Sequence, residues 1–322
     1  MRKLSFRIYL LLLFPMLCSL SAQAQEPYPY PVKYINLTIE QQSVKMAYMD
    51  VPPLGKYSST VMLFHGKNFN GYYWKDVAVF LAARGCRVII PDQVGWGRSD
   101  KPNIHYSFHQ LATNNKALLD TLNVAKLVII GHSTGGMLAE RFALMYPDMV
   151  EMLVLEDPVG LEDYRSFVSY TPTDKLYETE LAATYDSYKK YMLGYFPQWN
   201  PDHDELVKQQ AAALTDPNFK QIARANALTY QMIYEQPTCY ELKNISTNTL
   251  LVIGSEDRTI VGKDKLSEEA KKAHGQYPQL AKAAKAQMKH CQLIEMPGVG
   301  HIPHIQLPEA FTKALATFLN LR

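Results

Sequence analysis

The sequence predicts an α/β fold: a mostly parallel eight-stranded sheet flanked by helices, with a helical insertion after the sixth strand. Three observations predict it. Short apolar runs alternate with amphipathic stretches between residues 60 and 160. The run ending at Ile130 passes straight into the turn Gly131-His132-Ser133-Thr134-Gly135 and then into a helical pattern. The alternation stops at Gly160 and resumes at Thr249. Runs that are apolar throughout are what strands buried on both faces require, and strand–helix alternation implies βαβ units with parallel pairing.

Composition sets the outer bounds. Of 322 residues, 47% are hydrophobic and 20% charged, so the chain can bury a core without disulfides or metals and is no disordered, collagen-like or polytopic membrane protein. A net charge of +2 gives no electrostatic reason to expect a nucleic-acid partner. Arg2, Lys3 and Arg7 precede an apolar run from Ile8 to Cys18 and then SLSAQA, the three regions of a secretory signal in order. That run of 11 residues is too short to span a bilayer, which takes about 20, so no stable membrane insertion is expected. Ala22 and Ala24 form a cleavage site, and removal of residues 1–24 leaves 298 residues with 30 basic and 31 acidic side chains. The expected location is periplasmic or secreted. Acylation of Cys18 is the competing reading, disfavoured by Leu17 just before it. Cys86, Cys239 and Cys291 form no disulfide framework; they read as buried free thiols, with a Cys239–Cys291 bridge as the other option.

The elements follow in order. Glu26–Val32 is an extended lead-in, and the alternating segments Tyr34–Glu40 and Val44–Asp50 form an antiparallel hairpin at a sheet edge. Strands follow at Thr60–Gly66, Arg87–Asp92, Leu127–Ser133 and Val150–Asp157, separated by helices over Trp74–Arg84, Phe108–Leu122 and Gly136–Tyr146. Residues 161–243 hold helical stretches and no apolar strand, and are expected to cap the strand ends of the single domain 25–322. Strands at Thr249–Asp257 and Gln292–His301 and a helix over Pro308–Leu321 close the chain. Within the insertion Tyr177, Tyr185, Tyr188, Tyr191 and Tyr195 recur near one helical face, which either packs the cap on the core or lines an aromatic pocket above Ser133.

The chemistry concentrates at Gly131–Gly135. A strand–turn–helix around G-x-S-x-G is a nucleophile elbow: small neighbours allow a strained turn that presents the serine oxygen at the sheet edge, beside the free N–H groups of a helix start. A serine needs a base to become nucleophilic. His132, adjacent to it in the chain, should point away into packing. No run fits a phosphate-binding loop and no cluster has metal-ligand spacing, so neither metal nor cofactor is expected.

In these features the chain resembles the α/β-hydrolase superfamily, in its capped, serine-nucleophile esterase-like branch. The landmarks are His65-Gly66, the segment from Pro91 to Pro102, GHSTGG at 131–136, GSEDR at 254–258 and GVGHIPHIQLPE at 298–309. The resemblance implies Ser133 as nucleophile, His301 as base with His304 as the competitor, and Asp257 as the orienting acid with Asp157 as the competitor. It implies backbone oxyanion donors at Lys67 and Thr134; contacts to substrate are expected from His65 and, on the pocket-lining reading of the tyrosine face, from Tyr188 and Tyr191. Many relatives carry a small or apolar residue where Lys67 stands, so its ammonium either reaches solvent or favours anionic substrates. Arg98 and Asp100 should hold their loop by hydrogen bonds. Haloalkane dehalogenases and epoxide hydrolases place aspartate at the elbow. The HGGPG of proline iminopeptidases and the G-x-G-P-G-A of carbon–carbon bond hydrolases are missing here.

The implied function is exported serine hydrolysis of an acyl ester in a small or medium substrate. Lactonase, amidase or perhydrolase activity on the same residues, or a non-catalytic ligand-binding protein on the same fold, are the alternatives.

Overall fold

In the computed structural model, residues 28–321 are described; the expected signal segment, its cleavage site and Cys18 lie outside them. Eight strands form one sheet: β1 (Val32–Ile39), β2 (Gln42–Val51), β3 (Ser59–Phe64), β4 (Cys86–Pro91), β5 (Leu127–His132), β6 (Val150–Glu156), β7 (Asn248–Gly254) and β8 (Cys291–Met296). Their order is β1-β2-β4-β3-β5-β6-β7-β8. β1 and β2 pair antiparallel, β2 is antiparallel to β4, and every later pairing is parallel.

Alternate residues of each central strand feed two apolar layers. Met62 and Phe64 of β3 and Ile129 of β5 face one side, while Val61, Leu63 and Ile130 face the other. The first layer is covered by α2 (Phe108–Thr121) and α3 (Thr134–Met145) through Leu111, Leu118 and Phe142. The second is covered by the short α1 (Lys75–Ala82) and a C-terminal helix over Pro308–Phe318, through Leu81, Phe311 and Leu315. This double cover explains why these strands read as unbroken apolar runs. Helix bounds differ by up to three residues from the sequence expectation, while the expected start of α2 at Phe108 is fixed by a side-chain cap. Ser107 accepts the Gln110 amide at 3.0 Å and starts α2.

Between β6 and β7 the chain is helical: α4 (Thr173–Leu181), α5 (Tyr185–Leu193), α6 (Asp204–Ala211) and α7 (Phe219–Glu235). The tyrosine stripe is not one face, because a capping box at Thr184 and Ser187 starts α5 as a new helix. Tyr177 therefore lies on α4, Tyr185, Tyr188 and Tyr191 on α5, and Tyr195 beyond its end. Two further helices, over Glu268–Ala273 and Tyr277–Gln287, separate β7 from β8. Cys86, Cys239 and Cys291 are free thiols; the last two are only half-buried and do not pair. No helix of the described residues is long and apolar enough to cross a membrane.

Candidate active site

The sheet order reverses at β3, which lies between β4 and β5. Loops leaving the C-terminal ends of strands on either side of such a point diverge and open a crevice. The segment 65–67 follows β3, Ser133 follows β5, Asp157 follows β6, Asp257 lies beyond β7 and His301 beyond β8. Residues 236 positions apart in the chain thus meet at one sheet edge.

Ser133 stands at φ 56°, ψ −121°, outside the regions that L-residues favour. The turn is tight enough to require glycine on both sides. A Cβ at Gly131 would lie 2.3 Å from the Gly135 carbonyl oxygen, and one at Gly135 would lie 2.2 Å from that of Phe64. The serine amide donates to the Glu156 carbonyl at 3.0 Å, which tethers the strained residue to β6.

From Ser133 a continuous line of hydrogen bonds runs inward. Its Oγ lies 2.9 Å from His301 Nε2, and His301 Nδ1 donates to Asp257 Oδ2 at 2.7 Å. Asp257 Oδ1 accepts the Thr259 amide at 2.8 Å. Burial raises the Asp257 carboxyl, but the His301 ring and the Thr259 donors outweigh it and hold the carboxyl below its ordinary range. The His301 amide donates to the Tyr195 carbonyl at 2.8 Å, so the helical insertion fixes the histidine loop.

Asp157 makes no hydrogen bond to His301. Both its oxygens lie 3.1 Å from the Gly254 amide. Burial, and then the charges of Asp257 and Glu156, push its carboxyl well above the ordinary range. Asp157, Asp257 and His301 bring polar atoms within 4.8 Å of one another, the one cluster with metal-ligand spacing among the described residues. Two of these residues, His301 and Asp257, already bond each other.

His304 does not reach the serine. Its Nδ1 is held by both Glu156 oxygens at 2.9 Å, and its ring stacks on Trp74 at 4.3 Å. His132 is structural. Its Nε2 meets the His301 carbonyl at 2.7 Å and so carries the hydrogen, leaving Nδ1 to accept from the Tyr73 hydroxyl at 3.1 Å. Burial, and then His301 and His304, keep this ring neutral. Tyr73 in turn accepts the Gly66 amide at 2.9 Å. A strut of one tyrosine and one histidine thus joins the loop after β3 to the loop after β8, and no sequence motif marks it.

A cavity of about 720 Å³ lies over Ser133, lined by Lys67, Thr134, Val159, Leu176, Tyr191 and Ile233 among others, and is mostly apolar. Tyr188 and Tyr191 both line it, as does Tyr195. Among the described residues neither the Lys67 nor the Thr134 backbone amide has an acceptor. The Lys67 ammonium faces Glu180 of α4 at 3.9 Å and is largely buried, so it neither reaches freely into solvent nor offers an uncompensated charge. A more polar groove of about 550 Å³ adjoins this cavity, sharing Lys67, Asn68, Tyr188 and Gln210 as lining.

His65 departs from expectation. It lines neither cavity, and both ring nitrogens are taken by backbone: Nδ1 donates to the Gly66 carbonyl at 2.9 Å and Nε2 accepts the Gln93 amide at 3.0 Å. It braces the two loops and touches no substrate space. The loop after β4 is pinned chiefly by Asp92, which accepts the Gly71 and Arg98 amides at 2.7 and 2.6 Å. Asp100 contributes as expected, accepting the Lys45 amide at 2.7 Å, whereas Arg98 contributes its amide while its guanidinium lies over the Tyr28 ring.

A fold and site of this kind define a class, and comparison with known proteins names it. The family model for the alpha/beta hydrolase fold matches residues 59–306, and the chain belongs to that family. A crystal structure of a probable hydrolytic enzyme from Pseudomonas aeruginosa is 42% identical, covers 91% of this chain and 95% of its own, and superposes with a TM-score of 0.89. A 2-hydroxy-6-oxo-2,4-heptadienoate hydrolase of Pseudomonas putida is 28% identical over 62% of this chain and 72% of its own. Uncharacterised proteins of Mycobacterium bovis and Mycobacterium tuberculosis are 39% identical over 31% of this chain, and the match spans only 29% of their length.

Proposed function

We propose that this chain is an exported serine hydrolase that cleaves acyl esters of small or medium size. The observation that carries the reading is the unbroken line Ser133 Oγ, His301 and Asp257, with contacts of 2.9 and 2.7 Å, at the floor of an apolar cavity. In this reading His301 takes the serine proton as Oγ attacks the acyl carbonyl, and Asp257 stabilises the imidazolium. The free amides of Lys67 and Thr134 receive the oxyanion, already in place before charge develops. His301 then hands its proton to the departing alcohol. Water, deprotonated by the same ring, releases the acid from the acyl-serine and restores the enzyme.

The cavity's apolar lining favours an uncharged acyl chain or aryl group, and pairing of Lys67 with Glu180 removes the reason to prefer anionic esters. The test is fluorophosphonate labelling of wild type and Ser133→Ala, with turnover of p-nitrophenyl esters, lactones, amides and a 2-hydroxy-6-oxo-dienoate. Labelling confined to Ser133 with esters turned over fastest supports the reading. Tight ligand binding without turnover points to the binding-protein alternative, and faster cleavage of the dienoate assigns the site to that substrate class. Mass spectrometry of the mature N-terminus tests export, with Gln25 as the expected first residue.

A further inference from the structure

The buried end of the site holds one carboxyl more than the serine mechanism uses. Asp157 and Asp257 are 0% and 1% exposed and lie side by side, with His301 as the third member of the cluster. The polar and ionisable groups around the pair are Glu156, which adds like charge, together with Tyr164, Tyr195, Thr259, Tyr277 and His301. Lys263 is near enough for its charge to act on Asp257, but its ammonium makes no ion pair with either carboxyl and donates instead to the Arg258 carbonyl at 2.8 Å. Even with His301 protonated, two ionised carboxylates here would leave an uncompensated buried charge, so one of them keeps its proton.

The hydrogen bonds say which. Asp257 accepts separate donors on its two oxygens, the Thr259 amide and the His301 ring, both of which favour the ionised form. Asp157 shares a single amide, that of Gly254, between both oxygens at 3.1 Å. Its backbone sits at φ 37°, a left-handed conformation that few residues other than glycine, asparagine and aspartate adopt, and its amide is fastened to the Val252 carbonyl at 2.9 Å. The carboxyl is thereby held against Asp257 and away from solvent.

We propose that Asp157 is a proton-bearing positioning residue: its carboxyl O–H donates to Asp257 and tempers the negative charge that Asp257 presents to His301. This rests on the hydrolase reading for its consequence, but not for its detection. The proton stays on Asp157 throughout the cycle, and only its hydrogen bond acts. Removing that donor concentrates charge on Asp257, so His301 holds its proton to higher pH and the acid limb of the rate profile moves up.

Two measurements test this. The first needs no turnover. A difference infrared spectrum of wild type against Asp157→Asn at neutral pH is expected to show a protonated-carboxyl band lost in the variant; no such band overturns the proposal. The second compares Asp157→Asn, which keeps an N–H donor, with Asp157→Leu, which keeps the bulk and removes it. NMR titration of the His301 ring and the pH profile of kcat/KM are expected to shift upward by about half a pH unit or more in the Leu variant, and to stay at wild-type values in the Asn variant. Equal shifts in both, or none in a folded Leu variant, overturn the proposal. Should the Leu variant not fold, the infrared comparison decides alone, and absence of the protonated-carboxyl band overturns the proposal. If wild type is neither labelled nor active while the infrared band is present, the hydrolase reading fails and the shared proton stands.

Discussion

Two buried histidine–carboxylate pairs lie three residues apart on the same loop, and they are built almost alike. His301 bonds Asp257 through Nδ1 at 2.7 Å; His304 bonds Glu156 through Nδ1 at 2.9 Å; all four side chains are almost wholly buried. The difference is at the other nitrogen. His301 Nε2 faces Ser133 on the floor of a cavity, whereas among the described residues His304 Nε2 meets no partner and its ring is enclosed by Trp74, Tyr73 and Phe311. A histidine–carboxylate pair is thus no signature of catalysis by itself. What sets the first pair apart, and what the proposed reaction draws on, is a third group in line and open space beside it.

Breaking the first pair should have the largest effect. His301→Gln and Ser133→Gly are expected to lower kcat/KM for a p-nitrophenyl ester by about 10⁶-fold, the size seen when the serine or the histidine of such a unit is removed. Ser133→Gly should at the same time raise stability by about 1 kcal/mol, because glycine adopts φ 56° without strain. Urea denaturation beside the activity assay checks both, and a loss under tenfold would erase the distinction between the pairs. Glu156→Ala breaks the second pair and strips the His304 amide, 2.7 Å away, of its acceptor. Leaving a buried partner alone costs about 3–5 kcal/mol. The folded fraction should keep kcat/KM within a few-fold of wild type; a collapse of activity at full foldedness would show that Glu156 serves the reaction.

The sequence distinguished these pairs only partly, for a physical reason. Ser133 is legible because the strained turn demands glycine at 131 and 135, and such demands are written locally. His301 and Asp257 are legible because each follows a strong apolar strand whose C-terminal end must lie at the crevice. His65 is not: its neighbours Gly66 and Gln93 decide that its nitrogens serve backbone, and Gln93 is 28 residues away. Asp157 and Asp257 are 100 residues apart, and their side-by-side packing follows from β6 and β7 being sheet neighbours, a pairing the alternation pattern does not specify. The placement of β4 between β2 and β3 is hidden for the same reason.

Another buried carboxyl sharpens the contrast because it has neither a histidine nor a backbone amide to hold it. Glu140 of α3 is fully buried, neither oxygen meets a donor in good geometry among the described residues, and burial raises its carboxyl to about 8, with Thr238 and Arg141 offsetting this only in part. In the unfolded chain this group ionises near the ordinary glutamate value. Between that value and about 8 the folded form keeps a proton that the unfolded form has lost. Stability from this site is therefore complete at low pH and is lost as pH rises, by about 1.4 kcal/mol per pH unit across the window. Glu140→Gln should flatten that dependence. The variant should melt above wild type at pH 8 and level with it near pH 4; calorimetry showing parallel curves would mean Glu140 is ionised in the folded state.

The smallest effect should come from the strut that links the two halves of the site. Tyr73→Phe deletes one oxygen, and with it the acceptor for the Gly66 amide and the donor to His132. The ring itself stays packed against Phe69 at 4.6 Å, so no cavity forms and the loss is that of buried hydrogen bonds, about 1–2 kcal/mol. Because Gly66 precedes Lys67 and His132 braces the His301 carbonyl, part of that loss should reach the reaction. A few-fold fall in kcat at unchanged KM is expected, since oxyanion donors act on the transition state more than on bound substrate. If KM rises instead while kcat holds, the strut shapes the cavity and leaves the reacting groups alone.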